Sequence, residues 1–269
     1  MNLRRPWTRD ELVIAMNLYC KLPFGQIYYK KPIIIEVAQK LGRTPSSLAM
    51  KLANFASLDP VHQARDVGGL RGASKADRAI WEEFTLNWAT LGAESEERFQ
   101  ELVGFQFSII NNSPTSLPKN VGLQPYTQDR SNEMTEAYST TKIRIGQNFF
   151  RQMILSAYRN RCCITGNPIP ELLVASHIIP WNQQSEHRLN PKNGLCLART
   201  HDVAFDRGLI AFDENYKLVL SRYLQEFLPE ETLEYNFVAY SGQQLCFPEK
   251  FHPESDFIRF HRENIFLGL

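Results

Sequence analysis

Long apolar runs are missing from this 269-residue chain; 33–35 and 172–175 are typical of what it has, and neither could cross a bilayer. The opening MNLRRPWTRDEL carries basic residues with no apolar stretch behind them, so no secretory signal is expected there. Cysteine is scarce and odd in number at five, which argues against a disulfide framework. No pair has Cys-x-x-Cys spacing: Cys162 and Cys163 are adjacent, Cys196 stands alone, and Cys20 and Cys246 are distant. Structural zinc is therefore not expected, and a reducing cytoplasmic compartment is. Net charge is nearly absent too, at +1, and no internal repeat is evident. What remains is ordinary globular composition, 43% hydrophobic and 22% charged, with length enough for two modest domains.

Charge is present but unevenly placed. Residues 1–60 carry +5 and residues 142–220 carry +4, with acidic or neutral stretches between and after them. Two basic blocks suit a chain that touches a polyanion twice, although charge also fluctuates along any sequence.

The first sixty residues predict three helices. Thr8 with Glu11 forms a capping box ahead of Leu12, Ala15, Met16 and Tyr19 at helical spacing. Pro32 fits the first turn of a second helix bearing Ile34, Val37, Ala38 and Leu41, closed by Gly42. Thr44 and Pro45 then open a third, with Leu48, Leu52 and Phe55 inward, giving a helix-turn-helix pattern. A further helix is expected over 75–91, with Ile80, Trp81, Phe84 and Trp88 as its packed face. Residues 111–141, rich in Asn, Ser, Thr and Pro, read as a linker. Beyond it, 142–145 alternates like a short strand, 149–158 is helical, and strand-like runs follow at 172–179, 194–197, 208–212 and 217–220. The expected class is α+β: a helical domain over 1–110, a linker over 111–141 and a mixed domain over 142–269.

Three pieces of the last segment are dense in chemistry-bearing residues. They are ASHIIPW around His177, LNPKNGL around Asn193, and THDVAFDRG containing His201, Asp202 and Asp206. A histidine titrates near neutrality and can activate water; two aspartates at i, i+4 share a helix face and can clamp a hard divalent cation. Hydrolysis of a phosphodiester needs both a base and a cation. Each residue alone has a bland reading as a satisfied core histidine, an Asn-Gly turn or a solvated helix face. It is their order and spacing together that point to the chemistry.

Together these residues resemble the HNH nuclease family, in the form seen in bacterial restriction-type endonucleases, over roughly 142–262. The resemblance implies the ββα-metal fold, with His177 as general base and Asn193 fixing the hairpin and orienting that base. It implies one divalent ion per site, Mg²⁺ or Mn²⁺, and double-stranded DNA as substrate. The position where the family's third letter falls holds His201 or Asp202, with Asp206 beyond. Asp202 and Asp206 are the favoured ligands and His201 the competitor, and as the third letter His201 also stands among the catalytic candidates. Ser176, just before the base, is a weak ligand where the family often has a stronger one. One active site cuts one strand, so a double-strand break requires either a homodimer on a two-fold target or two encounters.

The segment 34–55 resembles helix-turn-helix units that set a second helix into the major groove. Arg43, Ser46, Ser47, Met50 and Lys51 lie on or near that face; a helical dimerisation bundle is the bland alternative. Arg144, Arg151, Arg161 and Lys192 are candidate phosphate contacts in the second basic block. Two rival functions stay open: a DNA-binding regulator with an inactive HNH-like domain, and a nuclease of RNA or single strands. The latter would call for an aromatic stacking platform in the basic blocks, and none stands out.

Overall fold

Thr8 starts the first helix as its spacing predicts. Its hydroxyl accepts from the Glu11 amide at 3.3 Å, and the Glu11 carboxylate accepts from the Thr8 amide at 2.9 Å. The computed structural model describes residues 5–65, 72–104 and 135–268, with the backbone alone over 135–144. In it α1 spans Arg9–Lys21, α2 Pro32–Lys40 and α3 Pro45–Ala56. Gly42 between α2 and α3 sits at φ +63°, the left-handed conformation that ends a helix. Thr44 caps α3 by accepting from the Ser47 amide at 3.2 Å. As expected, α3 buries Leu48, Leu52 and Phe55, leaving Ser46 and Met50 to solvent.

The short α4 (Pro60–Ala64) leads to α5 (Lys75–Leu86) and α6 (Trp88–Val103). The single helix expected over 75–91 thus breaks at Asn87, whose φ −146° and ψ 60° cannot continue a helical ladder. Phe84 and Trp88 still meet edge to face across the break, with centroids 5.6 Å apart. α1 lies at the centre, packed by α3, α5, α6 and a long α7 (Thr135–Ala157). The strand expected at 142–145 is absent, because those residues fall inside α7. Phe149, Phe150, Met153, Ile154 and Ala157 are buried at helical spacing, and packing on α6 and β-structure overrides a two-residue alternation. Most of the expected linker, up to residue 134, lies outside the described residues.

After α7 comes a hairpin of β1 (Leu173–His177) and β2 (Gly194–Ala198), antiparallel, with His177 opposite Gly194. α8 (Arg199–Asp206) follows at once and packs on both strands. A second two-stranded sheet pairs β3 (Ile210–Phe212) with β4 (Leu218–Leu220). The chain then runs through α9 (Arg222–Gln225), α10 (Glu231–Asn236) and α11 (Ser255–Asn264). The fold is α+β, helical at the start and mixed at the end.

One buried apolar cluster extends from Leu12 in α1 to Ile258 in α11. A charge reinforces this join. Lys250, fully buried, donates from Nζ to the carbonyls of Tyr19, Cys20 and Leu22 at 2.6, 3.1 and 2.9 Å, satisfying groups that the end of α1 leaves unpaired. Burial pushes the Lys250 amine down to about 8, with Cys20, Asp59 and Glu249 opposing that shift.

Candidate active site

Asn193 closes the long connection between β1 and β2. Its side chain is 1% exposed; Oδ1 accepts from the Ile179 amide at 2.7 Å, and Nδ2 donates to the carbonyls of Ile179 and His187 at 3.1 and 3.2 Å. Its own carbonyl accepts from the Ile178 amide at 3.0 Å. An amide is the side chain that can do this, since it donates and accepts from one planar group. Gly194 comes next because α7 presses on this point: an added Cβ would lie 2.3 Å from Ile154 Cδ1 and 2.8 Å from Phe150 Cζ.

His177 ends β1. Its ring stacks on Phe150 with centroids 4.0 Å apart and planes 10° apart, and Trp181 meets it edge-on at 5.4 Å. Nε2 lies 2.9 Å from the carbonyl of Arg188. A carbonyl can only accept, so Nε2 carries the proton and Nδ1 keeps the lone pair. Burial lowers the pKa of His177 and the Arg188 carbonyl partly opposes it, leaving a neutral imidazole at physiological pH. A cavity of about 270 Å³ beside the ring is lined by Gln147, Phe150, Arg151 and Trp181 among others. The Arg151 guanidinium is fixed there by the carbonyls of Leu173 and Pro170, at 2.8 and 3.2 Å.

On α8 the aspartates come together. Asp206 is raised to about 6, by burial first and by the Asp202 charge second, with Arg207 opposing. Asp202 is raised by burial, with the Ser176 hydroxyl and Arg199 opposing. Ser176 Oγ is buried and close enough to favour the Asp202 carboxylate, yet it closes no hydrogen bond of good geometry. Successive residues of a strand face opposite ways, so Ser176 faces α8 while its neighbour His177 faces α7. Two unneutralised carboxylates and an orphaned hydroxyl are hard oxygen donors, the set that suits Mg²⁺ or Mn²⁺.

His201 is turned elsewhere. It is 2% exposed, with Nε2 2.7 Å from the Asn236 carbonyl and its ring against Phe237 and Tyr240. Among the described residues, no three His, Cys, Asp or Glu side chains converge as a metal cluster. Two supports of α8 carry no local sequence signal. His261, from α11, stacks on Phe205 at 3.6 Å and bonds its carbonyl at 3.0 Å through Nε2, with burial lowering its pKa to about 4. Gly208, at φ +69°, passes so close to α11's end that a Cβ would lie 2.1 Å from the Ile265 carbonyl oxygen.

The basic candidates fare differently. Arg43 is 8% exposed and spends its guanidinium on Glu11, at 2.6 and 3.1 Å, and on the carbonyls of Arg5 and Pro6. Lys51 is buried on Asp77 at 2.7 Å. Ser46 is exposed and Ser47 half-buried. Lys192 pairs with Glu254 at 2.8 Å on the surface. Arg161 bonds the Gly166 carbonyl at 3.1 Å, and the Arg144 side chain lies outside the described residues.

Residues 162–213 match the family model described as HNH endonuclease, a stretch that runs from before β1 through β3. Among solved structures, one titled "Modification dependent TagI restriction endonuclease" is similar at 18% identity and a TM-score of 0.31. That match covers 43% of this chain, and the chain spans 37% of that one's length. No curated protein matches. The chain carries an HNH endonuclease domain, formed by the hairpin and helix that hold His177, Asn193 and Asp202.

Proposed function

We propose that this chain is a divalent-metal-dependent endonuclease of double-stranded DNA, of the restriction or defence kind. One observation carries the reading: the HNH match coincides with a hairpin and helix bearing a neutral, half-buried histidine and a carboxylate pair whose charge is only partly offset. His177 acts as general base through Nδ1, taking a proton from the attacking water. Its ring lies on the α7 side of β1 and the carboxylates on the α8 side, so the scissile phosphate has to bridge the end of the strand between them. Asn193 holds the 178–192 connection, and with it the Arg188 carbonyl that sets the His177 tautomer. Asp202 and Asp206 hold the ion, with Ser176 Oγ a further oxygen at hand. A bound divalent ion would supply positive charge for the developing phosphorane and the leaving oxygen. His201 remains the competitor, since Nε2 is held by the Asn236 carbonyl while Nδ1 is buried without a partner. We favour the aspartates because both carboxyls are raised by burial and Asp206 further by the Asp202 charge.

The helical region would recognise DNA through the outward face of α3, where Ser46 and Ser47 lie. Arg43 and Lys51 would contact DNA only by giving up Glu11 and Asp77; where they stand, they brace the helix that presents the serines. Lys192 and Arg144 are the phosphate contacts on the nuclease side. We propose a cytoplasmic protein that reaches both strands as a homodimer or by two encounters.

The test is cutting of plasmid DNA in Mg²⁺ or Mn²⁺ by the intact chain and by His177→Ala. Cutting by the first and not the second supports the reading. DNA binding by both with cutting by neither favours a regulator with an inactive HNH domain. The lack of a three-ligand cluster among the described residues gives that alternative its footing.

A further inference from the structure

A cavity of about 560 Å³ lies where the helical region meets the HNH domain. Its walls are aromatic: Trp81 from α5, Trp88 from α6, Tyr216 between β3 and β4, and Phe251 ahead of α11. Trp81 and Phe251 lie 20° from parallel with centroids 6.3 Å apart, and Trp88 meets Phe251 edge-on at 5.5 Å, so the rings brace one another. The rest of the lining includes the carboxylates Asp59 and Glu254, Ala64 and Thr85 at the exposed rim, and Asn190 and Lys192, which lead directly into Asn193 of the candidate active site.

We propose that this cavity receives one nucleobase of the DNA substrate, turned out of the duplex near the cut. The inference rests on the nuclease reading and adds a recognition site to it. Aromatic faces are what an unstacked base loses on leaving the helix and what a protein must return. The base's edge also needs hydrogen-bonding groups. Asn190 uses Oδ1 on the Lys192 amide at 3.0 Å and its Nδ2 donor has no partner among the described residues, while Lys192 and Glu254 form an exposed ion pair at the same wall. The volume suits a preformed ligand site, with room for a base and part of its sugar. A metal ion is a poor occupant, since no three ligating side chains converge among the described residues. Continuity with the Asn193 loop argues for the substrate's own base, because a base held at Asn190–Lys192 stays joined through its backbone to the phosphate being cut.

Two measurements on the full chain test this. In the first, His177→Ala protein is bound to duplexes carrying 5-iodouracil, irradiated, and mapped by mass spectrometry. Crosslinks to Trp81, Trp88 or Tyr216 are expected. In the second, the exposed lining residues Ala64 and Thr85 are replaced by Trp to fill the cavity. Ala64→Trp and Thr85→Trp are expected to keep the wild-type Tm and lose at least about tenfold in kcat/KM on DNA. Crosslinks confined to other surfaces, with both filled variants cutting like wild type, overturn the cavity proposal and leave the nuclease standing. Free nucleoside monophosphates protecting the cavity without any DNA crosslink would assign it to an effector and also overturn it. A wild-type chain that cuts no DNA removes the nuclease reading and this inference with it.

Discussion

In the helical region, the three most deeply buried of the described cationic side chains each find a carboxylate: Lys21 meets Glu96, Arg43 meets Glu11, and Lys51 meets Asp77. In the HNH domain, Asp202 and Asp206 face each other with Arg199 and Arg207 only partly offsetting them, and both carboxyls are raised. A charge neutralised by its neighbours is structural. A pair of like charges held together costs stability and persists where something else needs it, which in the function proposed above is a cation. By this contrast, the basic excess of residues 1–60 overstates the charge available to DNA, and the modest acidity of α8 understates its use.

The contrast is broken most strongly at His177. Its replacement by Ala is expected to lower the cutting rate about 1,000-fold, the size of a general-base contribution, while the folded protein still binds DNA. Supercoiled-plasmid nicking rates alongside a gel-shift measure both; equal cutting by the variant would remove His177 from the chemistry. Next in size is Lys21→Met, which strands Glu96 in the core and is expected to cost about 3–5 kcal/mol in urea unfolding. Cutting per folded molecule should stay unchanged, because this pair belongs to the scaffold.

Asp206→Asn sharpens the other side. A carboxyl raised to about 6 binds its proton more readily in the folded chain than in the unfolded one, so folding gains stability as pH falls through 6 and loses it as pH rises. Measured in chelator, Tm between pH 5 and 7 should depend less on pH in Asp206→Asn than in wild type, and at pH 7 the variant should be slightly more stable. With Mg²⁺ present, the same change should abolish cutting, and a bound ion should itself lower the Asp206 pKa, so the pH dependence of wild-type Tm seen in chelator should weaken when Mg²⁺ is added. Smallest is Ser46→Ala: an exposed change, expected within about 0.5 kcal/mol in stability, with a few-fold weaker DNA binding in a filter assay. A Ser46→Ala chain that binds DNA as tightly as wild type would turn attention away from α3.

Local signals were legible where their cause is local. The Thr8 and Thr44 caps, the Pro32 and Pro45 starts and the Gly42 stop all appear where the sequence puts them, because each is settled within one turn. The hairpin strands were legible within a residue or two. The 142–145 segment was not, since Ile143 and Ile145 alternate like a strand yet belong to a helix whose buried face lies farther on, at Phe149 to Ala157. Asn87 likewise broke a helix that the spacing of Ile80, Phe84 and Trp88 would continue. In the site, Asn193 could be found from its motif, but its partners Ile179 and His187 could not, nor could the Phe150 face under His177 or the His261 support under Phe205.

The sequence by itself determined the α+β class, the order of the motifs and the candidates His177, Asn193, His201, Asp202 and Asp206, because helical period, capping and motif spacing are properties of neighbours along the chain. Only the tertiary structure decided that Asp202 and Asp206 share a site with Ser176 while His201 bonds Asn236, and that Arg43 and Lys51 are already engaged. The reason is physical. A side chain's charge state and freedom depend on what lies against it and how much water is left, and in this fold those neighbours come from residues far away in sequence.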